Sequence, residues 1–213
     1  MRVILLTGLF LASKLLAQST PPQAPATPKP TYDFSLPKEE RIKLAEGAAP
    51  PEISNKATVY LLEPSGYVKV REGTNGFSCF VDRLTPVNIE PTCFDAEGSA
   101  TTLLTRLFVE EQRAKGKSED QIKTELEQGY KTGRFLAPRK PGVVYMMSDQ
   151  IYLLVGNNQI VHAPPHLMFY APYATEKDIG SPTSPGTPRL IRAGQPDAYM
   201  IVSAAPHKQE PAK

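Results

Sequence analysis

The chain has 213 residues, of which 24 are basic and 22 acidic, and it contains no tryptophan. This length allows one domain with a hydrophobic core of its own. Two of the basic residues lie in a leader that we expect to be removed, so the mature protein is formally neutral. A nucleic-acid-binding protein is expected to carry a basic excess on one face, and we therefore exclude nucleic acid as a partner.

The first 19 residues have the layout of a secretory signal peptide. Arg2 precedes an apolar run over 3–16, and small or polar residues occupy 17–19, where cleavage fits after the first or after the last of the three. An uncleaved membrane anchor would need about 20 apolar residues, whereas this run is shorter and contains Lys14. We predict a signal peptide over 1–19, a periplasmic or secreted mature protein, and no transmembrane anchor after cleavage.

Composition also suggests the domain boundaries. Residues 20–37 contain six prolines and few aliphatic side chains. They cannot bury enough apolar surface to offset the entropy of ordering, so we expect a disordered tether. Residues 204–213 are predicted to be a disordered tail for the same reason. A single folded domain over 38–203 remains between them.

The first half of this domain is predicted to contain a short helix and four strands. Pro37 and the acidic residues after it favour a helix over 37–48. Strands follow over 57–63, 66–72, 77–83 and 88–95, joined by turns rich in glycine, proline and asparagine. We expect these strands to form an antiparallel meander, with the fourth toward an edge because Pro91 has no N–H to donate to a neighbouring strand.

The apolar pattern then becomes helical. One helix is predicted over 101–116, with an apolar stripe formed by Leu103, Leu104, Leu107 and Phe108. A second helix is predicted over 118–133, where Ser118 and Gln121 form a capping box. The two helices are joined by about two residues and are expected to form a helical hairpin that packs one stripe on the sheet.

Strand patterns return in the last third of the chain. They are predicted over 142–148, 150–155, 159–163, 188–194 and 197–204, with a loop over 178–188. The predicted fold class is therefore α+β: an antiparallel β-sheet in two runs, interrupted by the helical hairpin.

Cys79 and Cys93 are the two cysteines of the chain, and they lie on predicted neighbouring strands. In an exported protein two cysteines most simply form one disulfide. The alternatives are a catalytic nucleophile or a redox pair. The chain has no C-x-x-C spacing, and Cys79 does not begin a helix that would lower its pKa. We predict a structural disulfide.

No catalytic motif is found along the chain. The pattern closest to a nucleophile elbow is GFSCF around Ser78, but Phe80 stands where the second glycine is required. Three carboxylates, Asp82, Glu90 and Asp95, lie near the predicted disulfide. Any two of them could meet in space, but the sequence does not decide this, and surface charge is the ordinary interpretation for each.

The stretch HAPPHLMFYAPY over 162–173 holds both histidines of the predicted domain. Its two central prolines exclude a helix and predict an extended segment. His166 and Met168 would then point to the same face, and imidazole with thioether is a ligand pair for copper or haem iron. The simpler interpretation is a buried strand whose histidines satisfy hydrogen bonds at its ends, in which case no cofactor is expected.

Three hypotheses for function remain open. The first is a small-ligand-binding module with a cleft beside the 162–173 segment, whose candidate residues are His162, His166, Met168, Tyr170 and Arg71. Arg71 also precedes a Gly-Thr-Asn-Gly turn whose amides could bind an anion. The second is a hydrolase-type enzyme that uses His162 or His166 as its base. The third is a structural envelope protein that binds a protein partner through an apolar patch.

Several segments carry a resemblance. Together, VREGTNGFSCFVDR, EPTCFDAEGS, PGVVYMMS, HLMFYAP and DIG resemble a functionally uncharacterised family of small exported bacterial proteins, over residues 58–203. The resemblance implies export, paired cysteines and a single domain. No activity, cofactor or catalytic residue is established for that family, so the resemblance implies none for this chain.

Overall fold

The structure is a computed structural model that describes residues 32–184 and 186–201. The predicted signal peptide, most of the predicted tether and the predicted tail lie outside these residues. Tyr32, which the sequence assigned to the tether, is only 6% exposed and packs into the core. The folded part therefore includes residues before the predicted boundary at residue 38.

The described residues form helices and strands close to the predicted positions. The helices are α1 (Lys38–Glu46), α2 (Pro51–Ser54), α3 (Ala96–Ala100), α4 (Thr102–Ala114) and α5 (Glu119–Lys131). The strands are β1 (Thr58–Glu63), β2 (Gly66–Arg71), β3 (Ser78–Asp82), β4 (Glu90–Phe94), β5 (Val143–Met146), β6 (Tyr152–Val155), β7 (Gln159–His162), β8 (His166–Tyr170), β9 (Arg189–Ile191) and β10 (Tyr199–Ile201). None of the described helices is long and apolar enough to cross a membrane.

Eight of the strands form one sheet in the order β2-β1-β3-β4-β5-β8-β10-β9, and β6 and β7 form a separate hairpin. All pairs in the large sheet are antiparallel except β1 with β3. The predicted α+β class is therefore confirmed, with the helical hairpin inserted between β4 and β5. The capping box of Ser118 and Gln121 at the start of α5 is also confirmed.

The predicted meander is wrong at β3, which pairs in parallel with β1 rather than with β2. The segment between β2 and β3 crosses the start of β1, where the Thr74 N–H donates to the Lys56 carbonyl over 2.8 Å. A Cβ on Gly73 would lie 2.2 Å from the Thr58 nitrogen. Only glycine, which has no Cβ, fits this close to the backbone of β1. A stretch with the composition of a hairpin turn therefore carries the chain across β1 instead of joining two adjacent strands.

The expectation that Pro91 places β4 toward an edge is also wrong, because β4 lies between β3 and β5. Pro91 is paired with Val81 of β3, whereas the pairing of β4 with β5 covers only Cys93 and Phe94. Pro91 therefore has a strand neighbour on one side. Proline avoids positions that are paired with strands on both sides. Pro91 itself obeys this rule, although its strand has a neighbour on each side.

The two faces of the sheet are covered by different helices. On one face α1 packs on β1, β3 and β4, over a core that includes Ala45 and Cys79. On the other face α4 packs with Leu103 against Phe80 and Phe94. Leu104, which the sequence assigned to the same apolar stripe, is 46% exposed, because a helix turns by about 100° per residue. This second face carries the candidate site.

Cys79 and Cys93 form the predicted disulfide, and they are directly paired on β3 and β4. Replacing both by alanine (C79A/C93A) is expected to lower the free energy of unfolding by about 3 kcal/mol, because the unfolded chain loses a closed loop of about 15 residues. Urea denaturation measures this change. A reducing agent should destabilise the wild-type protein by a similar amount and leave C79A/C93A unaffected. Equal stability of the oxidised and reduced wild-type protein would contradict the prediction.

Candidate functional site

A cleft of about 360 Å³ opens on the α4 face of the sheet. Its floor is formed by β3, β4, β5, β8, β9 and β10, and its rim by residues after β3 and by the β6–β7 hairpin. Most of its lining is apolar: Leu84, Phe94, Met146, Leu153, Leu154, Val155, Ala163, Pro164, Met168, Ile191 and Ile201. Five ionisable side chains besides Tyr199 also line it: Asp82, Glu90, Arg106, His166 and Arg189.

Strand alternation explains which side chains reach the cleft. Asp82 is the direct cross-strand partner of Glu90, and Met146 is the partner of His166. Met168 follows His166 by two residues on β8 and so lies on the same face. The prediction that His166 and Met168 share a face is confirmed.

Arg106 of α4 joins two carboxylates at the base of the site. Its Nε lies 2.9 Å from Asp82 Oδ2, and its Nη1 lies 3.4 Å from Asp197 Oδ2. Asp197 also contacts Arg192, with 2.8 Å between the Nε and Oδ1 atoms. Arg106 and Asp82 are 6% and 7% exposed, so these charges are shielded from water and their pairing is strong.

Glu90 is 5% exposed and differs from its neighbours because it has no cationic partner among the described residues. Its hydrogen bonds from Asn88 Nδ2 at 2.6 Å and from the Leu84 N–H at 3.2 Å both end on Oε1. Oε2 accepts none from the described residues. Burial, reinforced by repulsion from Asp82, raises the pKa of Glu90 to about 7. The carboxyl group is thus poised to gain or lose a proton near neutral pH.

His166 is held in one tautomer by the chain beside it. Its Nδ1–H donates to the Pro164 carbonyl over 2.7 Å, which leaves Nε2 as the ring atom with a free lone pair. Burial lowers the pKa of His166, and the nearby charge of Arg189 acts in the same direction. The imidazole is therefore neutral at physiological pH and available as an acceptor or ligand.

The other predicted site residues do not line the cleft. His162 is exposed and donates from Nε2 to the Asp149 carbonyl over 2.6 Å. Tyr170 is buried in the core, where its hydroxyl donates to Asp95 Oδ1 over 3.0 Å. Arg71 pairs with Glu46 over 2.5 Å and joins the end of β2 to the start of the domain. The structure thus brings together His166 and Met168 but not the remaining three.

The sequence suggested that the backbone amides of the turn after Arg71 could bind an anion, but the N–H groups described here already donate within the chain. The Gly73 N–H donates to Thr58 Oγ1 over 3.0 Å, and the Phe77 N–H donates to Asn75 Oδ1 over 3.1 Å. With the Thr74 N–H also bonded within the chain, these amides are committed to holding the crossing over β1.

Arg106 was missed at the level of sequence. The interpretation of Asp82 and Glu90 as surface charges is wrong, because they are 7% and 5% exposed and are paired directly across β3 and β4. Asp82 and Glu90 end and begin the two strands of one hairpin, and alternation from Phe80 and Phe94 would have placed both on the core face. Arg106 follows Leu103 by three residues and so lies on the buried stripe of α4. A charged residue on a buried stripe is the signal that could have identified it.

No cluster of three or more histidine, cysteine, aspartate or glutamate side chains suited to a metal ion occurs in the described part of the chain. Comparisons with protein-family models, curated proteins and solved structures found no match for this chain.

Proposed function

We propose that this protein is an exported binding module that captures a small molecule with an apolar body and one protonated amine in the cleft. The observation that carries the proposal is Glu90, a buried carboxylate without a cationic partner among the described residues, on the wall of a mostly apolar cleft. A volume of about 360 Å³ lies in the range of small-molecule sites.

The charges around Glu90 favour a cation. When all groups are ionised, the connected set contains three carboxylates, on Asp82, Glu90 and Asp197, but two guanidinium groups, on Arg106 and Arg192. Within this set the carboxylate of Glu90 is left without an ion pair, while Arg189 lines the same cleft beside His166. A ligand ammonium group at Glu90 Oε2 would supply the missing partner and a charge-assisted hydrogen bond, while the apolar wall would bury the rest of the molecule.

Export is part of the proposal, and two features support it. The leader over 1–19 has the pattern of a signal peptide. The Cys79–Cys93 disulfide is compatible with an oxidising compartment. A periplasmic or secreted location would also let the cleft sample small molecules outside the cytoplasm.

The hydrolase hypothesis finds no support in the described part of the cleft. His166 lines it, but neither serine nor cysteine does. The two threonine hydroxyls of the lining are engaged as donors, Thr85 to Asn88 Oδ1 and Thr92 to the Glu90 carbonyl, both over 2.7 Å. A base without an available nucleophile favours binding over hydrolysis.

Calorimetric titration of the mature protein with phenylbutylamine, phenylbutanol and phenylbutyrate tests the proposal, because these probes share one apolar body and differ in charge. At pH 8 the amine is expected to bind at least about tenfold more tightly than the alcohol, since a charge-assisted bond in a buried site is stronger than a neutral one. The E90Q substitution should remove this preference. Substitution of Glu127, which is exposed on α5, by glutamine is the matched control and should preserve it.

The amine affinity is also expected to fall on the order of thirtyfold between pH 8 and pH 5.5, because protonation of Glu90 with a pKa of about 7 removes the pairing charge. Of the other groups facing Glu90, Asp82 is ion-paired with Arg106, and burial raises the pKa of Asp82 as well. Protonation of His166, beside Arg189, would repel the amine and act in the same direction. Equal binding of amine and alcohol, tighter binding of phenylbutyrate, or a preference that survives E90Q would overturn the proposal.

A further inference from the structure

We propose that Met146, His166 and Met168 form a binding site for Cu(I) on the wall of the cleft. This inference goes beyond the proposed amine site, because none of its three donors is Glu90. All three side chains line the same cleft. They bring two thioether sulfurs and one imidazole nitrogen to one face of two adjacent strands.

The register of β5 and β8 sets the spacing of the donors. Met146 and His166 are directly paired across the two strands, so their Cβ atoms are about 4.5–5.5 Å apart, and the diagonal neighbour Met168 lies about 7–8 Å from Met146. Methionine and histidine side chains are long enough to converge on one ion from this triangle. Because the donors come from paired strands, their relative positions are held by the sheet rather than by a loop.

The environment of His166 suits a metal ligand. A ligating histidine almost always donates its other ring N–H to a carbonyl or carboxylate, which fixes the ring and the tautomer. His166 makes this contact through Nδ1 to the Pro164 carbonyl at 2.7 Å. The ring nitrogen that remains for a metal is Nε2.

The donor set selects the metal. Thioether sulfur is a soft ligand and favours Cu(I), whereas zinc, calcium and magnesium favour thiolate, imidazole or oxygen ligands. The three donors are neutral and include one imidazole. Met146 is 3% exposed, so an ion held there would be screened from water, and the carboxylate of Glu90 lines the same cleft.

The chain contains matched controls for each ligand type. Met147 directly follows the last residue of β5 and is 45% exposed. Met200 lies on β10 and is not part of the described cleft lining. His162 is exposed and bonded to the Asp149 carbonyl, and His207 is the third histidine of the sequence.

Anaerobic titration of Cu(I) against the chelator bicinchoninate measures the affinity. The mature protein is expected to compete for one equivalent of Cu(I). M168L and H166Q should each weaken binding at least about tenfold, the lower end of the loss seen when even a supporting group of a metal site is removed. M147L and the double variant H162Q/H207Q should bind as the wild type does. Because Met168 is only partly buried, M168L keeps the test valid even if M146L disturbs the core.

A second readout identifies the donors without relying on substitution. With methionine labelled by carbon-13 at its methyl groups, addition of Ag(I) as a redox-stable substitute for Cu(I) should shift the methyl resonances of Met146 and Met168 and leave those of Met147 and Met200 in place. Wild-type affinity in M168L and H166Q, loss of binding in H162Q/H207Q, or shifts at Met147 in place of Met146 would overturn the proposal.

Discussion

E90Q is expected to raise the free energy of unfolding at pH 8 by about 3 kcal/mol, while at pH 4.5 it should have little effect. Burial, with repulsion from Asp82, raises the pKa of the Glu90 carboxyl from 4.5 to about 7 in the folded protein. Each pKa unit corresponds to about 1.4 kcal/mol. A glutamine side chain is neutral at every pH, and its amide oxygen can still accept the hydrogen bonds from Asn88 and from the Leu84 N–H.

The sign of this effect follows from proton linkage. A group whose pKa is raised on folding contributes stability that is fully present below its unfolded pKa and is lost as the pH rises through its folded pKa. For Glu90 this window runs from about pH 4.5 to slightly above pH 7. The wild-type protein should therefore lose stability across this window, and E90Q should lose less.

Urea denaturation at several pH values between 4.5 and 8 measures the difference. The exposed Glu127, replaced by glutamine, is the matched control and should leave the profile unchanged within about 0.5 kcal/mol. A constant difference between E90Q and the wild type across this range would show that the effect does not come from titration of Glu90. An E90Q protein no more stable at pH 8 would contradict the prediction.

If E90Q both stabilises the protein and abolishes preference for the amine, Glu90 is a residue retained for binding at the expense of stability. A ligand ammonium group would stabilise the ionised carboxylate of Glu90. Binding would therefore restore the folding stability that the empty protein loses when Glu90 ionises. Saturation with phenylbutylamine should therefore stabilise the wild type at pH 8 by more than it stabilises E90Q.

The second large effect is expected at Arg106, where R106M should lower the free energy of unfolding at pH 7 by about 3–5 kcal/mol. The methionine replaces the buried length of the side chain but leaves the carboxylates of Asp82 and Asp197 without the cation between them. Asp197 is 2% exposed and keeps Arg192 as a partner. Asp82 keeps only the hydrogen bond from the Arg83 N–H at 2.8 Å.

Denaturation of R106M at pH 7 and at pH 4 separates charge from packing. Loss of the cation raises the pKa of Asp82 further, so protonation at low pH should reduce the deficit. D82N added to R106M should recover part of the loss. K115M removes an exposed ion pair with Glu111 and should cost no more than about 0.5 kcal/mol. A small loss in R106M, or a loss independent of pH, would show that the buried charges are not held by Arg106.

Several features of this protein could be predicted from local sequence alone. Strand alternation placed His166 and Met168 on one face, turn and capping residues marked α5 at Ser118, and two cysteines on neighbouring strands predicted the disulfide. Each of these depends on residues close in sequence or on composition. Local sterics and hydrogen bonding decide them before any distant part of the chain is in place.

The strand order and the site required the tertiary structure. The sequence does not determine locally that Gly73 crosses β1, that β4 is interior despite Pro91, or that Tyr170 donates to Asp95 in the core. These outcomes depend on which distant strands pair.

The same long-range pairing makes the cleft. It places Met146 opposite His166, which is 20 residues further along the chain. It also aligns Asp82 with Glu90, and it brings Arg106 of α4 between Asp82 at the end of β3 and Asp197 before β10. The sequence by itself thus determined most of the longer helices and strands and the faces of some of their residues. Which faces meet was decided by the folded chain, because burial and charge pairing are energies of contacts that exist only once the sheet has formed.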